Sequence, residues 1–228
     1  MRYTSTVADL PSTVPFVGPE AQERARGKPF RARIGANESV FGPSPKAVAA
    51  MAHAAADCWM YCDPENHDVK TALAAHLGVK PENIAVGEGI DSLFGYTVRL
   101  CVEPGGGDVV VTSQGAYPTF NFHVAGYGGR LVPLPHVPGR EDPESLLAAV
   151  CRDRPKLVYF ANPDNPMGSW WPAADMQNFI DQLPEGTILV LDEAYAEFAP
   201  SGTMPPIDVS DPRVLRYRTF SKAYGMAG

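Results

Sequence analysis

The stretch TILVLDEAYAEF, residues 187–198, decides how the rest of the chain is read. Its run Ile188-Leu189-Val190-Leu191 is apolar at every position and ends abruptly on two carboxylates, Asp192 and Glu193. A strand with one wet face alternates apolar and polar residues, whereas an unbroken run fits a strand covered on both faces, the situation inside a parallel sheet. The VVV of DVVVT (108–112) reads the same way. Four further β-branched runs, NIAVG (83–87), RLVPLP (130–135), KLVYFA (156–161) and VLRYRTF (214–220), complete a set of six expected strands.

Helix-compatible segments separate most of these runs: IDSLFGYTVRLCVE (90–103), PESLLAAVCRD (143–153) and PAADMQNFIDQL (172–183). Upstream, SPKAVAAMAHAAADC (44–58) offers Ser44 as N-cap and Pro45 at the first helical position. ENHDVKTALAAHLG (65–78) places Val69, Leu73 and Leu77 at four-residue spacing, with Gly78 as the stop. Strands alternating with helices call for crossover connections, hence an α/β fold with a largely parallel sheet flanked by helices. Residues 1–35, rich in Pro, Ser, Thr and Gly without a clear period, read as an extended arm.

Composition narrows the function classes. Of 228 residues, 45% are hydrophobic and 20% charged, which is ordinary for a globular domain. The net charge of −7 and the lack of a Lys/Arg cluster argue against nucleic acid as a partner. Cys58, Cys62, Cys101 and Cys151 have neither metal-site spacing nor a disulfide framework, so no metal is expected and the thiols read as reduced. The N-terminus has no signal-peptide pattern and no run is long enough to span a bilayer, so a cytoplasmic protein is expected.

In open parallel sheets, ligands gather at the carboxyl ends of strands. There the residues are chemically coherent. GEGIDSLF (87–94) is a glycine turn running into a helix, a setting suited to an anionic group or to a plain turn. Tyr117, in SQGAYPTF, is placed to lie against a planar ligand or to pack in its loop. In ANPDNPMG (161–168) two Asn-Pro pairs make a rigid loop from which Asn165 can donate. Asp192 sits where its strand leaves the core, with Tyr195 three residues on, and Thr219, Ser221 and Lys222 follow the last strand. Each signal alone also suits an ordinary turn or cap. Together they supply a phosphate cradle, an aromatic platform, an amide donor, a carboxylate with a phenol, and an amine, the inventory for holding pyridoxal phosphate.

With those motifs in view, the sequence resembles the fold-type I pyridoxal-phosphate aminotransferases, and within them the histidinol-phosphate aminotransferases, in order from about Ile34 to Gly228. The carrying motifs are the N-terminal NE…GPSP, YCDP (61–64), GEGIDSLF, GAYPTF (115–120), NPDNPMG (162–168), DEAYAEF (192–198) and TFSKAYGMAG (219–228). The resemblance implies an arm and small-domain segment over 1–35 and a cofactor-binding large domain over 36–228. It implies that Lys222 forms a Schiff base with the cofactor and that Asp192 keeps the ring nitrogen protonated. Tyr195 and Asn165 then bond the ring's phenolic oxygen and Tyr117 stacks on its face. Gly89, Ile90, Asp91, Thr219 and Ser221 receive the phosphate. Tyr61 reaches the phosphate of a neighbouring subunit, which implies a homodimer with shared active sites.

The implied reaction moves an amino group from histidinol phosphate or a related amino donor to a 2-oxo acid acceptor such as 2-oxoglutarate. Aromatic amino-acid aminotransferases and decarboxylases of the threonine-phosphate type share most of these motifs, and a non-catalytic fragment of such an enzyme is a further alternative. Ser39 and Val40 stand where the family usually has Asn-Pro, and Met167 where it usually has Thr. The family pattern continues past Gly228 with a phosphate-binding arginine and a small domain carrying the arginine for the substrate carboxylate. Residues 1–228 are therefore expected to be part of a longer protein, poorly soluble and inactive on their own.

Overall fold

A computed structural model describes residues 2–8, 10–11 and 16–228. The chain begins with two short helices, α1 (Ser5–Ala8) and α2 (Pro19–Arg26), followed by α3 (Pro45–Ala54), α4 (His67–Leu77) and α5 (Gly89–Cys101). From there strands and helices alternate: β1 (Val109–Ser113), α6 (Pro118–Gly126), β2 (Arg130–Leu134), α7 (Pro143–Asp153), β3 (Leu157–Ala161), α8 (Ala173–Asp181), β4 (Ile188–Asp192) and β5 (Val214–Tyr217). The five strands form one sheet in the order β2-β1-β3-β4-β5, parallel throughout. This is the α/β class expected, with helices on both faces.

The unbroken apolar runs divide between two cores at the strand period of two. Leu157, Tyr159 and Ala161 of β3, with Val110 and Val190, pack beneath α5 and α6 against Phe94, Val98, Phe120 and Val124. Their neighbours Val158 and Phe160, with Val111, Leu189 and Leu191, face α7 and α8 and meet Leu146, Val150, Met176 and Phe179. The crossover rule accounts for the division. The step from β1 to β2 goes one way along the sheet and the steps β2 to β3 and β3 to β4 go the other. Right-handed connections in opposite directions must lie on opposite faces.

The direction reverses between β1 and β3, so the loops leaving their carboxyl ends diverge there. Such a switch point is where open α/β sheets bind ligands. Tyr117 and Asn165 stand on the two diverging loops.

Local signals act as read at several positions. Ser44 Oγ accepts from the amide of Ala47 at 3.1 Å, and Gly78 closes α4 in the left-handed region at φ 71°. Two expectations need correction. NIAVG is no strand: Pro81–Asn83 forms a 3-10 turn, Ile84 is extended, and the residues that follow pair with no strand among the described residues. Its β-branched residues favour extension, but a strand also needs a neighbour, which propensity does not supply. The N-terminal region is not simply an extended arm either, since it contains α1 and α2. Pro19 at the first helical position, Glu20 in the first turn and left-handed Gly27 at the end are the helix signals. No residue of α2 is buried, which explains why it shows no apolar period.

Candidate functional site

Asp192 is the last residue of β4 and is buried, with 7% of its surface exposed. Tyr159, two strand positions before the end of neighbouring β3, donates its hydroxyl to Asp192 Oδ2 at 2.7 Å. The amide of Ala194 donates to Oδ1 at 3.0 Å. Burial dominates and pushes the carboxyl up to about 6, against the two hydrogen bonds that favour its charged form. The next residue, Glu193, is fully buried and balanced differently: the guanidinium groups of Arg216 and Arg218 each donate to it at 3.0 Å. The paired acids at the end of β4 thus have separate tasks. Glu193 ties β4 to β5, while Asp192 meets no cation among the described residues.

Beyond Asp192 the chain brings Tyr195, half-buried, under the amine of Lys222, whose Nζ lies 5.9 Å from the phenol ring centroid. Burial raises the Tyr195 hydroxyl's proton affinity and the Asp192 charge adds to it, opposed by a hydrogen bond from Asn37 Nδ2 at 2.9 Å. Lys222 Nζ makes a long contact of 3.5 Å with the carbonyl of Ala36. Residues 36 and 37 therefore reach both site groups from a distance of more than 150 residues in sequence.

Asn165 and Tyr195 line one cavity of about 310 Å³, together with Asn37, Asp164, Trp170 and Phe198. The loop bearing Asn165 is held at both ends. Asn162 donates through Nδ2 to the carbonyl of Trp171 at 3.1 Å and accepts at Oδ1 from the Trp171 amide at 2.9 Å. Glu141, with 1% of its surface exposed, accepts from the amide of Ala161 at 3.0 Å, and its own carbonyl accepts from Trp171 Nε1 at 3.2 Å. Burial first, and the nearby Asp164 charge second, push the Glu141 carboxyl up to about 8, so it is largely neutral at pH 7. The Asn162–Pro163 and Asn165–Pro166 peptide bonds are both cis.

On the α5 side, Gly89 takes φ 81° and starts the helix, leaving the amides of Ile90 and Asp91 without intrahelical acceptors. Tyr117 packs on Phe94 of α5, ring centroids 6.5 Å apart; burial raises its hydroxyl's proton affinity and the Asp91 carboxylate adds to this. After β5, Thr219 Oγ1 donates to Ser221 Oγ at 2.9 Å and accepts from the Ser221 amide at 3.1 Å. Tyr217, the last residue of β5, bonds Thr97 and so fixes that strand end against α5. Tyr61 stands apart: its side chain is fully exposed and makes no hydrogen bond to the others.

The ensemble can hold a planar ligand with a basic ring atom at Asp192, an oxygen at Asn165 and Tyr195, and an electrophilic carbon near Lys222. Among the described residues no cluster of His, Cys, Asp or Glu is suited to a metal ion. Sequence reading missed Tyr159, Glu141 and Asn37. Tyr159 was detectable, because a tyrosine in an otherwise apolar buried strand needs a partner for its hydroxyl. Nothing local announces that Glu141 is buried or that Asn37 meets Tyr195, for both depend on distant segments.

The model of the aminotransferase class I and II family matches residues 33–228. A histidinol-phosphate aminotransferase from Anaeromyxobacter sp. is 38% identical over 227 residues, covering 97% of this chain and 61% of the relative. An aromatic amino acid aminotransferase from Thermobifida fusca is 38% identical over 203 residues, covering 86% of this chain and 55% of the relative. Among solved structures, histidinol-phosphate aminotransferase from Sinorhizobium meliloti in complex with pyridoxal-5'-phosphate is 60% identical, with a TM-score of 0.94 over 100% of this chain and 61% of that one. The chain thus spans less than two thirds of the length of these relatives, and over that span it belongs to the aminotransferase class I and II family.

Proposed function

We propose that this chain carries the cofactor site of a pyridoxal-phosphate-dependent transaminase, which moves an amino group between histidinol phosphate or a related amino substrate and a 2-oxo acid such as 2-oxoglutarate. The observation that carries the reading is the convergence at adjoining strand ends of a buried carboxyl without a cation, a half-buried phenol and an amine. The residues fit the cofactor on their own chemistry. Asp192 suits a ring N–H, since its buried carboxylate keeps acceptor capacity beyond the bonds from Tyr159 and Ala194 and meets no cation among the described residues. Asn165 and Tyr195 offer donors to the ring's oxygen, and Tyr117 a flat face. The free amides of Ile90 and Asp91, the turn at Gly89, and the hydroxyls of Thr219 and Ser221 suit the phosphate.

Bound there, pyridoxal phosphate supplies an aldehyde that takes up amines and a ring that draws electrons from the carbon bearing the amine. The chain's own groups do the rest. Lys222 Nζ is the amine that would hold the aldehyde carbon, and as a free amine it would be placed to take the proton from the substrate carbon bearing the amino group and to give it back as general acid. Asp192 keeps the ring nitrogen protonated, and Tyr195 and Asn165 hold the ring oxygen.

Further parts of this reading concern the assembly. The exposed Tyr61 suits a side chain that reaches the phosphate in a second copy, so a homodimer with shared sites is part of the proposal. The four unpaired cysteines suit a reducing, cytoplasmic setting. No helix among the described residues is long and apolar enough to cross a membrane.

The full-length protein should show the visible absorption of a lysine-bound cofactor, and borohydride should fix it covalently to Lys222. Lys222→Ala should abolish the trapped bond, as read by mass spectrometry of the tryptic peptide. Covalent trapping that survives Lys222→Ala would overturn the assignment. The Thermobifida relative favours an aromatic amino acid as a second candidate donor. A screen of amino donors, scored by loss of the visible band, separates the two.

A further inference from the structure

We propose that Asn37 is a positioning residue for Tyr195, one that commits the phenol's only proton to a partner inside the site. The inference rests on the reading of the site given above. A phenol has one O–H to donate and lone pairs to accept. Asn37 Nδ2 lies 2.9 Å from Tyr195 Oη and, as an N–H group, can only donate. The tyrosine oxygen is therefore the acceptor in this pair, and its own proton must point elsewhere. Asn37 and Asn165 line the same cavity as Tyr195, so the phenol's proton is left to a partner within that cavity, which in the reading above is the cofactor's ring oxygen.

The backbone supports the same role. Asn37 sits in the left-handed region at φ 55°, a conformation that Asn tolerates better than most residues. Just before it, the carbonyl of Ala36 faces Lys222 Nζ, so one dipeptide serves both site groups. The segment is held against the lysine turn by close backbone contact. A Cβ built on Gly225 would lie 2.4 Å from both the carbonyl carbon and oxygen of Gly42. Tyr195 is also faced by Asp192, whose charge raises its proton affinity, by Lys222 over its ring, and by Asp164 on the cavity wall. The Asn37 bond is the interaction that opposes burial and Asp192.

A donor on the phenol oxygen polarises its O–H and strengthens the bond that O–H makes. A stronger bond to the cofactor's ring oxygen withdraws charge and lowers the proton affinity of the nitrogen by which Lys222 holds the cofactor. The pH midpoint of the visible band reads this directly. In the full-length enzyme, Asn37→Gly deletes the amide while leaving the left-handed backbone unstrained, and should raise the midpoint by roughly 0.5 to 1 unit. Asn37→Asp puts an acceptor in place of the donor and should raise it further. In a Tyr195→Phe background, expected to raise the midpoint by itself, Asn37→Gly should add nothing and Asn37→Asp only the smaller shift of its added charge, as expected of residues acting through one hydrogen bond.

Equal shifts in both backgrounds, or no shift with Tyr195 present, would overturn the proposal while leaving the site reading intact. A wild-type protein that shows no visible band and no borohydride-trapped Lys222 would remove the site reading and the proposal with it. Asn37→Asp, which also tolerates the left-handed region, keeps the test open should the glycine variant fail to fold.

Discussion

Tyr159 shows how one side chain joins fold to chemistry. Its ring belongs to the core beneath α5 and α6, stacked on Phe120 at 4.9 Å, while its hydroxyl is the donor that favours the charged form of Asp192. Tyr159→Phe keeps the packing and deletes that donor, so Asp192 should hold its proton more tightly and pair less well with a ring N–H. Cofactor affinity is expected to fall by about 5- to 50-fold, the range of a hydrogen bond to a charged group, with little change in the thermal midpoint. Absorbance titration of the apo-protein measures it; unchanged affinity would place the support of Asp192 elsewhere. At this scale the sequence singles out Asp192, Tyr195, Lys222 and Asn165 because strand ends concentrate chemistry, and the structure sets Tyr195 beside Lys222 and in one cavity with Asn165. Tyr159 and Asn37 were not assigned, because their importance lies in which partner they meet.

The lysine turn and the segment around 35–43 behave as one element although they lie far apart in sequence. Gly225 takes φ 68°, and an added Cβ would collide with the Gly42 backbone, which cannot yield as a flexible side chain can. Gly225→Ala should therefore push the segment off the turn, removing the Asn37 bond to Tyr195 and the Ala36 contact with Lys222 together. Limited proteolysis should show faster cleavage within 35–43, and cofactor affinity should fall by at least about tenfold. Intact protection of that segment would show that the turn relaxes instead. Five of the six expected strands form: the buried runs of β1, β3 and β4, and the partly exposed runs of β2 and β5 at the two edges of the sheet. NIAVG failed as a strand because its extension has no described neighbour to pair with.

Taken whole, the molecule hides several acids at the carboxyl end of the sheet, and this makes its stability depend on pH. Glu141 has a folded value raised to about 8 from an ordinary 4.5. The native state therefore holds a proton that the unfolded chain gives up. Stability from this source is complete below about pH 4.5, falls as pH rises toward 8, and changes no further above that. Asp192, raised to about 6 from 3.8, acts in the same direction over a lower and narrower window. Glu141→Gln keeps an acceptor for the Ala161 amide and removes the titration. Unfolding free energy measured by denaturant titration should decline less between pH 5 and 8 in the variant. The difference from wild type at pH 8 should be on the order of 2–4 kcal/mol. Parallel pH profiles for the two proteins would show that Glu141 is charged in the native state.

Periodicity and turn chemistry in the sequence determined the α/β class, most strand and helix positions and which polar side chains follow the strands. These are local properties, carried by apolar runs, caps and the residues that follow strands. Tertiary structure alone decided the strand order, and with it the switch point between β1 and β3 where the Tyr117 and Asn165 loops part. It also decided that Asp192 stands without a cation while Glu193 takes two arginines, and that Asn37 reaches Tyr195. Those outcomes depend on contacts between segments far apart in the chain, which no local pattern encodes.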